Sequence, residues 1–248
     1  MPATIRIGTS GWHYPHWKQR FYPGDLPATG WLPYYARYLR CVEINNTFYH
    51  LPQENTIEKW RNLTPADFVF AVKAPQTITH RRKLKQCTPL VEEFLERLSP
   101  LEDKLEIILF QLPPRWHCNT ARLGTFLRNL PPGRRYAFEF RDPTWHDEAV
   151  YALLREANAA FCLYELGDLT TPLIMTADFV YVRLHGPAGP YAGSYTPTAL
   201  RRWAQHLRRW QGEGKDCWLF FDNDQNAYAV KNALALQGEL GLNLPSGA

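Results

Sequence analysis

Seven short segments of this chain share one arrangement: apolar residues come first, and a polar or charged residue follows near the end in the same two-residue phase. The sharpest is 179–186, Phe-Val-Tyr-Val-Arg-Leu-His-Gly. Its β-branched and aromatic residues and its glycine stop read as a buried strand. Side chains alternate across a strand, so Tyr181, Arg183 and His185 share one face and Val180, Val182 and Leu184 the other. A buried unpaired charge is costly, so such a tip is expected to line a cavity. The same alternation groups Glu43 with Asn45, Ala71 with Lys73, Leu109 with Gln111, Ala137 with Glu139 and Arg141, Phe161 with Leu163 and Glu165, and Phe220 with Asp222. Polar tips from many strands in one phase are what a parallel barrel needs when its strands end at a shared pocket.

Helical patterns separate these segments. They are predicted over 31–39, 52–62, 88–98, 123–130, 150–157, 197–210 and 225–240, with one helical turn over 170–176. Thr88-Pro89 and Thr196-Pro197 read as caps followed by a first-turn proline. Leu200, Trp203, Ala204, Leu207 and Trp210 fall on one helical stripe. With 5–9 as a first strand, eight strands alternate with helices. The fold class is therefore α/β, a (β/α)8 TIM-type barrel, expected as a single domain over residues 1–248. The loop between the first strand and residue 30 is long and aromatic, and loops of that length are often functional.

A hydrophobic content of 45% and charged content of 21% are ordinary for a soluble globular protein. The net charge of +4 permits an anionic ligand without demanding one. Five scattered cysteines, with no Cys-x-x-Cys, fit a reduced intracellular protein rather than a disulfide framework or zinc ribbon. The N-terminus enters a strand without a signal-type apolar region, and no apolar run reaches membrane-spanning length. The expectation is a cytoplasmic protein without a membrane partner.

The strand ends resemble those of the YecE-like proteins, the family of domain of unknown function 72. The matching residues are Gly8-Thr9-Ser10-Gly11-Trp12 with Tyr14, Glu43-Ile44-Asn45 with Thr47-Phe48-Tyr49, and Lys73 with Thr79-His80. They continue through Phe110-Gln111-Leu112-Pro113-Pro114, Glu139-Phe140-Arg141 with Trp145, Tyr181-Val182-Arg183-Leu184-His185-Gly186, and Phe221 with Asn223. The resemblance implies a TIM-type barrel and brings no reaction with it. Asp222 and His50 depart from it, standing where the family more often has asparagine and often has arginine.

Paired carboxylates at strand tips can act as acid and base, so Glu43 and Glu139 are catalytic candidates, with His185 as a proton shuttle. Lys73, Arg141 and Arg183 are three cations around one mouth, and their excess over two glutamates favours an anion clamp. Asn45, Trp12, Tyr49 and Asn223 complete the expected substrate-binding set. Phe48, Trp145, Tyr191 and Tyr195 are further loop aromatics, each more often core than ligand-stacking. No metal site is assigned: His185, Glu139, Glu43 and Asp222 could in principle form an oxygen-rich site with one imidazole, but the ligand set is sparse, and the residues name no cofactor. The leading expectation is an enzyme of hydrolase or isomerase type acting on a small anionic or polar substrate. The basic run 80–85 supports an alternative, a nucleic-acid-binding or processing protein. A barrel that binds a ligand without turnover is the third reading.

Overall fold

A computed structural model of the protein describes residues 2–242. The strands are β1 (Ile5–Ser10), β2 (Cys41–Ile44), β3 (Val69–Lys73), β4 (Leu105–Leu112), β5 (Arg135–Phe140), β6 (Ala160–Leu166), β7 (Leu169–Thr170), β8 (Phe179–Leu184) and β9 (Asp216–Phe221). The helices are α1 (Trp31–Tyr35), α2 (Glu54–Asn62), α3 (Thr88–Arg97), α4 (Thr120–Arg128), α5 (Glu148–Glu156), α6 (Pro197–Gly212) and α7 (Tyr228–Leu240). Eight strands run parallel in the order β1-β2-β3-β4-β5-β6-β8-β9, and β9 pairs back to β1. The sheet is thus closed, which removes both edges. No described helix is long and apolar enough to cross a membrane.

Two apolar layers hold the ring. Outside, the second face of each strand packs under the helices, as Phe138 and Phe140 do against Phe126 and Trp145. Inside, small and aromatic side chains fill the lower barrel, among them Ala71, Ala137, Cys162, Phe179 and Trp218. Gly8 is one of the inward positions. A Cβ there would meet the Cys41 carbonyl oxygen at 2.4 Å, so the β1–β2 approach requires glycine. Arg135 closes the N-terminal end, lying over Trp218 at 4.7 Å and pairing with Asp216 at 2.7 Å and Glu106 at 3.3 Å.

The predicted helical turn over 170–176 is not formed. Instead β7 pairs antiparallel with β6, and the chain then runs extended along it. Pro172 disfavours a helical Thr171, and the threonines do the work of a strand. Thr171 Oγ1 accepts from the Tyr164 amide at 2.9 Å. Thr176 Oγ1 accepts from the Phe161 amide at 2.7 Å and donates to the Ala159 carbonyl at 2.7 Å. The barrel therefore lacks a helix between β6 and β8. The first predicted helix is also shorter than expected, ending at Tyr35.

The phase assigned to β6 is reversed. Ala160, Cys162 and Tyr164 point inward, while Phe161 and Leu163 join the outer layer. Glu165 pairs with Arg202 of α6 at 2.5 Å rather than facing the mouth. Both faces of β6 are buried, so alternation alone carries no phase. Beside the inward aromatics Phe179, Tyr181 and Trp218 the interior takes Ala160 and Cys162 from this strand, and Phe161 packs on Tyr151 outside. Thr176→Val should leave a buried amide and carbonyl unpaired and lower stability by about 2–3 kcal/mol. The urea midpoint measures this.

Candidate functional site

At the C-terminal end the apolar filling gives way to charge, because β2, β3, β5, β8 and β9 each deliver a polar residue there. Arg183, on the inward face of β8, is 1% exposed and lies among three carboxylates. Its Nε and Nη2 donate to Glu43 Oε1 at 3.1 and 2.7 Å. Nη2 also donates to Asp222 Oδ2 at 2.9 Å, and Nη1 to Glu139 Oε2 at 2.8 Å. Glu43 is completed by the Ser10 hydroxyl at 2.7 Å and the Tyr181 hydroxyl at 2.6 Å.

One layer further out, Arg141 Nε donates to Glu139 Oε1. Arg141 Nη2 lies 2.8 Å from His185 Nε2, and His185 Nδ1 lies 2.9 Å from Asp222 Oδ2. A guanidinium has donors only, so His185 Nε2 accepts and the Nδ1 proton goes to Asp222. The imidazole is held in one orientation. Arg141 also lies over the Tyr164 ring at 4.9 Å.

Burial alone would raise the Glu139 carboxyl, but Arg141, Arg183 and His185 outweigh it and hold the group well below its ordinary range. Burial works against the charge of Asp222 too, and Arg183 with the His185 hydrogen bond outweighs it there. Burial, and then the charge of Arg183, lower Lys73 to about 8. Its Nζ sits 4.2 Å from the centroid of the Phe48 ring and forms no ion pair among the described residues. His80 packs edge-on against Phe48 at 4.8 Å and is lowered to about 4 by burial and by Lys73.

The structure thus brings Glu43, Glu139, His185, Lys73, Arg141 and Arg183 into one cluster, but it redistributes their roles. Glu43 and Arg183 bind each other below the surface, so Glu43 is an anchor, and Arg183 commits Nε, Nη1 and Nη2 to carboxylates, with Nη1 also 3.5 Å from His185 Nε2. Glu139 is fully buried and ionised between two arginines, which makes it a poor acid and a poor base. The expected cation excess also disappears. Asp222 enters as a third carboxylate, balancing Lys73, Arg141 and Arg183.

The other four binding candidates lie outside this charged cluster. Asn223 is buried and donates to the Gly193 carbonyl at 2.8 Å and to Asn232 Oδ1 at 2.9 Å, tying down the loop after β8. That loop depends on Gly186, at φ +125°, where a Cβ would strike the Ala192 carbonyl oxygen at 2.3 Å. Tyr49 is 67% exposed and packs edge-on against Phe48 at 4.9 Å. Trp12 packs edge-on against Trp60 at 5.4 Å. With Tyr14, Asn45 and Trp60 it lines a cavity of about 270 Å³ between the loops after β1 and β2. Asn45 Oδ1 is buried beside it without a hydrogen-bond partner among the described residues. Of the remaining loop aromatics, Trp145 and Tyr195 are core and Tyr191 is half exposed. In the basic run, Arg81, Arg82 and Lys85 are exposed and Lys83 is half-buried.

Ser10, Tyr181 and Tyr164 are site residues that the sequence reading did not single out as functional. Extending β1 by one residue would have placed Ser10 on the inward face beside Glu43. Tyr164 was hidden by the reversed phase of β6.

A family model described as "Protein of unknown function DUF72" matches residues 6–246. The chain is 39% identical over 143 residues to UPF0759 protein YecE of Escherichia coli K12. That match covers 56% of this chain and 49% of the relative, so the chain spans about half the length of that protein. It is 27% identical to UPF0759 protein YunF of Bacillus subtilis 168, across 92% of both chains. Among solved structures, a DUF72 family protein from Thermotoga maritima superposes with a TM-score of 0.87 at 27% identity, covering 96% of this chain and 99% of that one.

Removing Arg183 leaves three buried carboxylates facing one another. Arg183→Leu should destabilise the protein by about 3–5 kcal/mol, read by urea unfolding at neutral pH. The native carboxyls of Glu139 and Asp222 lie below their ordinary values of 4.5 and 3.8. The stability they contribute is whole above those values and lost as pH falls below them. Wild-type protein should therefore weaken steeply below about pH 4, and Glu139→Gln should flatten that slope.

Proposed function

The chain belongs to the family described as "Protein of unknown function DUF72", and because that description carries no activity we propose one from the site's own chemistry: the C-terminal mouth of the barrel binds a small anionic substrate and acts on it. The observation that carries this is the contrast between the sealed floor and the open rim. Arg183 spends its donors on the floor. Arg141 stands at the rim with a side chain 14% exposed, and its Nη1 has no partner among the described residues. Lys73 is the second rim cation, with no carboxylate paired to it among the described residues. A carboxylate or phosphate entering the mouth meets these two groups first.

The position supports the same reading, since barrel enzymes work at the C-terminal face. His185 and Asp222 form an oriented pair at that face. When a substrate anion draws Arg141 away from His185, Nε2 becomes available as a proton acceptor beside the bound molecule. The acid–base work expected of Glu43 and Glu139 passes on this reading to His185 and Lys73.

Binding of small carboxylates should raise the melting temperature and weaken as pH rises through about 8, where Lys73 loses its proton. Arg141→Gln should weaken binding about tenfold or more. Titration calorimetry with a panel of small carboxylates and inorganic phosphate from pH 6 to pH 9 tests both. Absence of any binding, or equal binding by Arg141→Gln, overturns the proposal. Tight binding of RNA or DNA with a steep salt dependence would replace it with the nucleic-acid reading.

A further inference from the structure

The barrel contains two lysines removed from bulk water, and they are used in opposite ways. Lys104 is 7% exposed and spends its ammonium fully: Nζ donates to the Arg61 carbonyl at 2.8 Å, the Thr64 carbonyl at 2.8 Å and Thr64 Oγ1 at 3.0 Å. Three donors meet three acceptors, which is how a structural lysine is held. Lys73 has no hydrogen bond from Nζ among the described residues. Its strand end is nevertheless fixed, because Thr47 Oγ1 donates to the Lys73 carbonyl at 2.7 Å. The side chain emerges from β3 into the mouth against the Phe48 ring, with Arg183 as the nearby positive charge that opposes its own.

This environment brings the free amine within reach of neutral pH, against the pull of Glu139, Glu43 and Asp222 toward the ammonium. Burial and a neighbouring guanidinium lower Lys73 to about 8, and His80 beside it stays uncharged. Desolvation next to another cation is how a lysine becomes a nucleophile at neutral pH. Other strand ends at the same barrel end carry the groups one kind of substrate needs: Arg141, whose Nη1 has no partner among the described residues, for a carboxylate, and the His185–Asp222 pair for a proton.

We infer that Lys73 is the nucleophile of this mouth and captures a small oxo acid through its carbonyl carbon as an imine, with the acid's carboxylate against Arg141. This rests on the anion-binding reading above and adds the substrate class and the reacting atom. The Nζ lone pair forms the C–N bond, and the carbonyl π pair moves to oxygen. One proton of the neutral amine and one proton from solvent leave with that oxygen as water, the other amine proton stays on the nitrogen, and the step needs neither oxidant nor reductant. The protonated imine then draws electrons from the neighbouring carbon, where His185 Nε2 can take a proton.

The test uses the full-length protein with pyruvate and cyanoborohydride between pH 6 and pH 10, followed by peptide mass spectrometry. A reduced adduct on the peptide carrying Lys73 is expected. It should form about tenfold faster at neutral pH than on exposed Lys85, with a rate midpoint near 8. Lys73→Arg should abolish it. Because the labelling pH profile is read on the native chain, it does not depend on that variant folding. Labelling of Lys73 no faster than Lys85, or with an ordinary lysine profile near 10.5, overturns the inference. If pyruvate still stabilises the protein through Arg141 but leaves no adduct, the imine fails and the anion site stands. An equally fast adduct with acetaldehyde, which has no carboxylate, keeps the nucleophile and removes the anion site.

Discussion

The guanidinium of Arg183 and the three carboxylates around it decide how the upper barrel is built. Placing an ion in a protein interior costs several kcal/mol even after relaxation. Here four ions share one fully buried volume, and each pays for its neighbours only while all are present. Glu43 comes from β2, Glu139 from β5, Arg183 from β8 and Asp222 from the residue after β9. The cluster can form only when the ring is closed and every strand is in register. A slip of one residue on any of these strands would turn its charge into the apolar layer beneath the helices. The ionic floor thus selects the register of the barrel as well as occupying its top.

The floor also sets the chemistry of the rim. Arg183 is held ionised by its three partners, and its fixed positive charge reaches Lys73. Arg141 is oriented by Glu139 from below and Tyr164 from the side, which leaves one edge of its guanidinium toward the opening. His185 is clamped between Arg141 and Asp222 in a single tautomer. Buried charge that is fully satisfied gives rigidity, and partly satisfied charge above it gives reactivity. The division between floor and rim falls between adjacent inward positions: Arg183 below and His185 above on β8, Glu139 below and Arg141 above on β5.

Much of this was legible in the residues. The alternation over 179–186 gave the inward set Tyr181, Arg183 and His185, and the same alternation put Glu139 with Arg141 and Ala71 with Lys73. These strands carry charges on one face only, so their phase is unambiguous. On β6 both faces are apolar, and the choice between Phe161 and Cys162 is made by the width of the barrel interior. The helical turn expected near 170–176 failed because two threonine hydroxyls supply backbone partners along β6 that local propensity does not register. Asn223 looked like a ligand group because it follows a strand tip. Its actual partners, Gly193 and Asn232, are brought beside it by a loop and a helix that its own neighbourhood does not announce.

The amino-acid sequence by itself determined the parallel barrel and the list of polar groups at its mouth, because side-chain alternation and the strand–helix order are properties of local chain geometry. Only the tertiary structure decided which of those groups are spent on one another and which remain for a ligand. That division depends on distances between residues from separate strands. A carboxylate 2.7 Å from a guanidinium and a lysine with no carboxylate partner among the described residues look alike until the ring closes around them.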